Sequence, residues 1–333
     1  MEENKFTAFV VREENGKFIR EIKTKSIDDL PVDDVLINVK YSSLNYKDAL
    51  SASGNKGITR RYPHTPGIDA AGIVVESAKK DFIAGDEVIV TGFDLGMNTP
   101  GGYGQFIRVP SDWVIKLPKS MTLKESMIYG TAGFTAALSL HNLEADGLDH
   151  FGKEDILITG ATGGVGSLSI AILAKAGYKK ITAVTGKIDK ESFLKNIGAS
   201  RIINRESIDD KSGKALLPIR WAAVIDSVGG NILATAIKST VYGGSIAACG
   251  LTQSPILNTS VYPFILRGVK LLGSDSAHCN INIRKMLWNK LAGEWKPNTL
   301  NLIASECSLE ELSGKIDLIL QGNISGRVVV KLD

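Results

Sequence analysis

The sequence predicts an α/β chain in which a doubly wound parallel sheet is inserted into a β-rich domain. Three observations carry that prediction. The first third reads as short Val- and Ile-rich strands punctuated by Gly, Pro and Asp. From Asp155 onward, apolar strands alternate with helical segments, the pattern of a parallel sheet covered on both faces. After Asp275 the series stops, and the chain ends in a turn and a strand, "NISGRVVVKLD", able to return to the first domain. The predicted boundaries are residues 1–124 and 276–333 for the β-rich domain and 125–275 for the insertion.

In the first domain "VLINVKYSSL" alternates apolar and polar residues, and "GIDAAGIVVES" and "DEVIVTG" follow as further strands. Such runs predict an antiparallel sheet or barrel. "GFDLGMNTPGGYGQF" is too glycine-rich for regular structure and reads as a long loop. Near Leu123 the pattern changes, and "LKESMIYGTAGFTAALSLHNL" spaces its apolar residues for a helix. "DILITG" is then a strand, residues 164–176 a helix, "KITAVTG" a strand and residues 190–197 a helix. "SRIIN", "WAAVIDSVG", "GSIAACG" and "VKLLGSD" continue the strands, with a helix over residues 231–239. Residues 283–291 and 309–320 read as late helices. In the first helix of the series Val165, Leu168 and Ile172 form one stripe, and Ala171 and Ala174 keep the rest small enough to lie close to a sheet.

Composition narrows the function classes. The 333 residues are 44% apolar and 23% charged with a net charge of +3, ordinary values for a globular chain of about two domains. There is no basic tail or dense Lys/Arg block, so nucleic-acid binding is not expected. No apolar stretch reaches the length of a membrane span, and "MEENKFTAFVVREENGK" has no signal-type core. Cys249, Cys279 and Cys307 are scattered without a C-x-x-C pair, which predicts neither a disulfide framework nor a metal knuckle. A reducing cytoplasm is the expected location.

The stretch "LITGATGGVGSLSIAILAKAG" has the context of a dinucleotide-binding turn. It follows a strand and opens a helix. The G-x-G-x-x-G spacing is broken, because Ala161 stands at its first glycine. The physical demands are still met. Gly163 and Gly164 permit close approach of a pyrophosphate, Gly166 lets the helix lie on the strand, Thr162 adds a hydroxyl, and Gly160 supplies flexibility one residue earlier. The plain alternative is a turn that only packs a βα unit. At the end of the next strand an NAD site usually carries an acid. Here Thr185, Gly186 and Lys187 stand there, with Asp189 further on. Lys187 suits a 2′-phosphate, and Arg201 is a second cation assigned to the same edge, so the expected cofactor is NADPH.

Several motifs then converge. "NYKD" (residues 45–48), "PGIDAAG" (66–72), "GDEVI" (85–89), "YGTAGFTAALS" (129–139), "ATGGVG" (161–166), "VYPFILRGVKLLGSDS" (261–276) and "SGRVVVK" (325–331) occur in order. Over essentially its whole length the chain resembles the medium-chain dehydrogenase/reductase superfamily, and within it the zinc-free quinone oxidoreductase and acrylyl-CoA reductase branch. That resemblance implies a Rossmann domain, a doubly wound parallel sheet, inserted in a GroES-like catalytic domain. It implies cofactor contacts from Tyr46, from Thr162, Gly163, Gly164 and Val165, and from Thr185, Gly186 and Lys187. It adds Arg201, then Leu251, Ile265 and Ser276 around the nicotinamide half, and Asn323 near the end. Lys187 stands where the family usually has Arg, keeping the charge and losing the fork.

Zinc members of the superfamily carry a Cys and a His-Glu pair where this chain has Asn45, Ile68 and Asp69, and a four-cysteine lobe is missing from "DLGMNTPGGYG". His64 beside Pro63 reads as structural. No metal is therefore expected. Without a Lewis acid, hydride addition to an already activated C=C of an enoyl-CoA, or to a quinone, is the natural chemistry. Asn45 and Tyr46 are the candidate donors and Asp69 a candidate to orient them, against the plainer role of tying two loops together. Arg60 and Arg61 in "GITRRYP" are suited to CoA phosphates or to a solvated loop. Arg327 suits a cleft or an ion pair. Cys249, Cys279, His141, His150 and His278 have no nucleophile-like setting. A homodimer paired through the Rossmann domain is implied by the resemblance. The alternatives are an NADPH-binding structural or regulatory protein with little turnover, and an NADPH-dependent alcohol or aldehyde oxidoreductase.

Overall fold

The computed structural model describes residues 4–151 and 155–332. The chain divides into two compact units. One comprises Met1–Thr131, Ala277–Ala292 and Ala304–Asp333, the other Ala132–Ser276 and Gly293–Ile303.

The first unit opens with an antiparallel hairpin, β1 (Lys5–Glu14) and β2 (Lys17–Ser26). Its Asn15-Gly16 turn has both residues at positive φ, 51° and 74°, the geometry that an Asn-Gly pair favours between strands. Then come β3 (Val35–Ser43), α1 (Tyr46–Ala52), β4 (Asp69–Ser77), β5 (Glu87–Thr91), β6 (Phe106–Val109) and β7 (Val114–Lys116). Alternation along β3 sends Val35, Ile37 and Val39 into a core shared with Val88, Val90, Ile107 and Val109. Residues 92–105 hold no helix or strand, as their glycines predict.

The helix α2 (Leu123–Ala145) is not continuous. Gly130, at φ 49° and ψ −156°, breaks it, so a new helical N-terminus opens at Thr131. The apolar spacing of this segment predicts one helix; the cause of the break lies in the site described below.

The second unit follows with β8 (Ile156–Ile158), α3 (Gly164–Ala176), β9 (Ile181–Thr185), α4 (Glu191–Asn196), β10 (Arg201–Asn204), β11 (Trp221–Asp226), α5 (Gly230–Lys238), β12 (Thr240–Ala248), α6 (Tyr262–Arg267) and β13 (Lys270–Gly273). All six strands are parallel, in the order β10-β9-β8-β11-β12-β13. The order reverses between β8 and β11, and ligands of such sheets sit at that reversal, beyond the carboxyl ends of the strands. No crossover helix joins β10 to β11; a 3-10 turn and residues 209–220 take its place. The helix α6 has no counterpart in the sequence reading.

The chain closes with α7 (Ile281–Ala292), α8 (Leu300–Ile303), β14 (Ala304–Cys307), α9 (Leu312–Leu320) and β15 (Arg327–Lys331). The last strand pairs antiparallel with β3 and parallel with β14. The sheet of the first unit therefore runs β14-β15-β3-β4-β5-β7, with β6 also on β3. This register brings Arg327 beside the start of α1.

Candidate functional site

Asn45 is the N-cap of α1, in extended backbone at φ −119° and ψ 157°. Its N–H donates to Asp48 Oδ2 at 2.9 Å, one half of a capping box. The "NYKD" motif carries this signal, although Asp48 is not among the residues picked out from the sequence. Asp48 Oδ1 also accepts from the Ile68 N–H at 2.8 Å, and Oδ2 from the Tyr103 hydroxyl at 3.1 Å. Burial, and then the charge of Asp69, push the Asp48 carboxyl up to about 7.

Asp69, the first residue of β4, is fully buried. Oδ2 accepts from the Ser43 hydroxyl at 2.6 Å and from Asn45 Nδ2 at 2.8 Å. Oδ1 accepts from the Thr131 hydroxyl at 2.6 Å, and both oxygens lie 2.9 Å from the Thr131 nitrogen. Asp69 thus caps the helix that reopens at Thr131, which explains the break in α2. A side chain at Gly130 would overlap the Asp69 carboxylate, so only glycine takes this positive φ here.

The countercharge is Arg327. Nη2 donates to the Ser43 hydroxyl at 2.7 Å and lies 3.7 Å from Asp69 Oδ2. Nη1 donates to Leu44 O at 3.0 Å and Asn45 Oδ1 at 3.1 Å, and Nε to Ile128 O at 3.2 Å. These bonds occupy Asn45, the expected donor, and Asp69 accepts from it. Asn45 Oδ1 is taken by Arg327, and Nδ2 is taken by Asp69 and, at 3.3 Å, by Asp48. Neither residue retains a donor for a substrate oxygen; together they anchor the start of α1. Tyr46, the next residue, is 44% exposed, and its hydroxyl has no partner among the described residues.

Zinc does not fit this site. An amide and a carboxylate stand where soft or imidazole ligands are needed, and a buried guanidinium already neutralises the carboxylate. Among the described residues no group of three or more His, Cys, Asp or Glu is placed to hold a metal. His64 is buried with its backbone paired to Val11, and burial lowers its pKa.

In the second unit the glycine turn joins β8 to α3. Gly160 adopts φ 59°, and a Cβ there would lie 2.5 Å from Ser227 Oγ. Ala161 is buried, its N–H donating to Val184 O at 3.0 Å. The broken spelling therefore moves the positive-φ glycine one residue earlier. A Cβ at Gly163 would meet only Gly160 O, at 3.3 Å, which leaves the turn open, whereas one at Gly166 would overlap that same oxygen. The first intrahelical bond of α3 runs from the Ser167 N–H to Gly163 O. The N–H groups of Gly164, Val165 and Gly166 precede it and suit a pyrophosphate.

The Thr162 hydroxyl lies 3.3 Å from that of Thr185, which accepts the Lys187 N–H at 2.9 Å. Thr162, Thr185, Gly186 and Lys187 are thus brought together. Burial, and then Lys190, lower the Lys187 pKa. Arg201 does not join them. It begins β10 and pairs with Thr182, whereas Asn204, at the other end of the strand, pairs with Thr185. Its guanidinium lies 3.9 Å from Asp155, ahead of β8. Arg205 lies there instead, since a Cβ on Gly186 would lie 3.2 Å from the Arg205 Cζ. In the sequence, Arg205 is the first cation after the third strand, whereas Arg201 begins that strand.

Leu251 and Ser276 follow the carboxyl ends of β12 and β13, at the same edge as the turn. Leu251 is largely exposed, and Ser276 Oγ accepts from the Thr135 hydroxyl at 2.7 Å. Ile265 stands on α6, exposed, rather than at a strand end. Asn323 lies in the first unit, after α9, its Nδ2 donating to Gln321 Oε1 at 3.2 Å. Asp226, missed in the sequence, ends β11 fully buried and accepts from the Thr159 hydroxyl at 2.6 Å and the Gly229 N–H at 2.8 Å. It ties the ends of β8 and β11 together where the strand order reverses. Burial, and then Asp226, push the Cys249 thiol up to about 12, so it stays protonated.

Comparison with known proteins agrees with this construction. Residues 31–119 match the alcohol dehydrogenase GroES-like domain, and residues 164–292 match the zinc-binding dehydrogenase family. The chain is 47% identical over 312 residues to the putative quinone oxidoreductase YhfP of Bacillus subtilis, covering 93% of this chain and 94% of that protein. The structure of YhfP with NAD bound superposes with a TM-score of 0.96 at 46% identity, covering 99% and 100% of the two chains. The acrylyl-CoA reductase AcuI of Ruegeria pomeroyi is 41% identical over 330 residues, 98% of this chain and 99% of AcuI. The YhdH oxidoreductase of Salmonella enterica, in complex with NADP, superposes with a TM-score of 0.95 at 38% identity, over 98% and 100% of the chains. With both domain models matched and relatives similar over nearly their full length, the chain belongs to the zinc-free quinone oxidoreductase and acrylyl-CoA reductase family of the medium-chain dehydrogenase/reductases.

Proposed function

We propose that the protein is an NADPH-dependent, zinc-independent reductase of activated double bonds, acting on an enoyl thioester of the acrylyl-CoA type. One observation carries the reading. The position that holds a Lewis acid elsewhere in the superfamily is filled by the Asp69–Arg327 pair, while Tyr46, next to Asn45 in the chain, has a hydroxyl without a partner among the described residues. A substrate that needs no metal activation matches that chemistry, and the names of AcuI and YhfP support it. YhfP leaves a small quinone as the second acceptor.

The cofactor fits the residues present. The N–H groups of Gly164, Val165 and Gly166 and the Thr162 hydroxyl would hold the pyrophosphate, and Lys187 with Arg205 the 2′-phosphate. NADPH bound there would supply a hydride to the electrophilic β-carbon, and a proton from solvent would complete the saturated bond. Tyr46 donates a hydrogen bond to the carbonyl oxygen as negative charge develops there. Asn45, Asp48, Asp69 and Arg327 hold Tyr46 in place. Steady-state NADPH oxidation with acrylyl-CoA tests the reading, and Tyr46→Phe lowers kcat by about 10²–10³-fold, the worth of one oxyanion donor. No oxidation with acrylyl-CoA or a quinone returns the chain to the class of NADPH-binding proteins without turnover.

We place the protein in a reducing cytoplasm, consistent with its three free cysteines. Among the described residues no helix is long and apolar enough to cross a membrane. The partner we propose is a second copy, joined at the outer edge of β13. That strand ends its sheet, and Leu271 on it, with Tyr262, Ile265 and Leu266 on α6, is exposed. Light scattering giving a monomer at micromolar concentration would remove this assignment.

A further inference from the structure

Arg60 and Arg61 lie in the loop between α1 and β4, both exposed. Neither guanidinium has a hydrogen bond or an ion pair among the described residues. Some exposed cations of this unit are matched, Lys56 by Glu13 and Lys116 by Asp86, whereas Arg60 and Arg61 stand side by side without such a partner. The loop is also firmly held. The Thr59 hydroxyl lies 2.7 Å from that of Ser51, the Tyr62 hydroxyl donates to Ser51 O at 2.6 Å, and the Arg60 N–H donates to Asn98 Oδ1 at 3.4 Å. The backbone that carries these two unneutralised guanidiniums is therefore held beside the last turn of α1.

Tyr46 stands at the first turn of the same helix. Seven helical residues at 1.5 Å each separate the two ends by about 10 Å. The outward residues between them are Lys47 and Leu50; the one acid of the helix, Asp48, is buried. The surface of α1 thus has a hydroxyl at one end, a cationic pair at the other and no exposed acid between. A quinone has nothing to offer the cations. A CoA thioester has a reacting carbonyl at one end, a flexible pantetheine arm, and a pyrophosphate with a 3′-phosphate at the other.

We propose that Arg60 and Arg61 bind the nucleotide phosphates of a CoA thioester whose acyl end lies at Tyr46, making acyl-CoA, not quinone, the preferred substrate. This rests on the reductase reading and adds the basis of its substrate choice. The planar fork of arginine suits phosphate, and the fixed backbone limits the entropy lost on binding.

The test compares wild type with the Arg60→Gln/Arg61→Gln double variant at saturating NADPH. The substrates are acrylyl-CoA and acrylyl-pantetheine, which keeps the reacting end and lacks the nucleotide. For acrylyl-CoA the KM rises about a hundredfold, roughly tenfold per guanidinium, while kcat and the KM for NADPH hold. The variant loses nothing on acrylyl-pantetheine. Equal losses on both thioesters, or none on either, overturn the proposal and leave the reductase reading standing. A wild type that reduces neither thioester overturns the reductase reading instead. Calorimetric titration of the NADPH-loaded protein with CoA then still decides the role of the arginines. The wild type binds CoA about a hundredfold more tightly than the variant does; equal binding overturns the assignment.

Discussion

Replacing Arg205 by Ala separates the two cations assigned to the 2′-phosphate. Arg205 lies alongside Gly186, with its Cζ 3.2 Å from where a Cβ would stand, and is exposed. A hydrogen bond to a charged group contributes about 1.5–3 kcal/mol, and the exposed position argues for the lower half of that range. The KM for NADPH is therefore expected to rise about 10- to 30-fold, at 1.4 kcal/mol per tenfold. NADH lacks the 2′-phosphate, so its kinetics stay as they are. Arg201→Ala is the control. Three residues of parallel strand, about 10 Å, separate Arg201 from the level of Thr185 and Asn204, about one Debye length in ordinary buffer. It leaves both cofactors nearly unaffected. Paired measurements of kcat/KM with NADPH and NADH on the three proteins provide the assay. An Arg201→Ala loss equal to that of Arg205→Ala, or an Arg205→Ala loss shared by NADH, would refute the reasoning.

Two further outcomes concern the buried network. Arg327→Met leaves Asp69 without its countercharge and strips donors from Leu44 O and Ile128 O. A loss of about 3–5 kcal/mol is expected in urea unfolding, and less than 1 kcal/mol would show the pair to be dispensable. For Asp48, whose folded pKa of about 7 exceeds the ordinary aspartate value of 3.8, the proton is held more tightly in the folded state. Its stabilising contribution is complete below pH 3.8 and is lost as pH rises through about 7. The stability difference between wild type and Asp48→Asn should fall by a few kcal/mol, on the order of 1–4, between pH 5 and pH 8. A pH-independent difference would contradict this.

Much of the fold is legible because its signals are local. The strands and helices after Asp155 carry their own periodicity, and Gly163 and Gly166 mark the turn whichever way the glycine before them is spelled. The β1–β2 turn at Asn15-Gly16 is equally local, and attention to that dipeptide finds it. The break in α2 is not local. It exists because Asp69, distant in sequence, caps Thr131, and Gly130 alone gives no notice of it. The donor capacity expected of Asn45 is spent for a related reason. Residue type says what a side chain can donate, but only its neighbours say whether that capacity is already spent.

Arg201 and Arg205 make the same point at the two ends of one strand. Both are basic, and they stand four positions apart. The sequence alone determined that a parallel sheet with an open glycine turn forms here, that a cation rather than an acid follows the second strand, and that no thiolate or imidazole set for zinc accompanies Asn45 and Asp69. The tertiary structure decided which arginine lies at Gly186, because a parallel strand sends its two ends to opposite edges of the sheet and Arg205 follows its last residue. It also decided that Tyr46 keeps the free hydroxyl, because β15 brings Arg327 across nearly the whole chain to occupy Asn45 and neutralise Asp69.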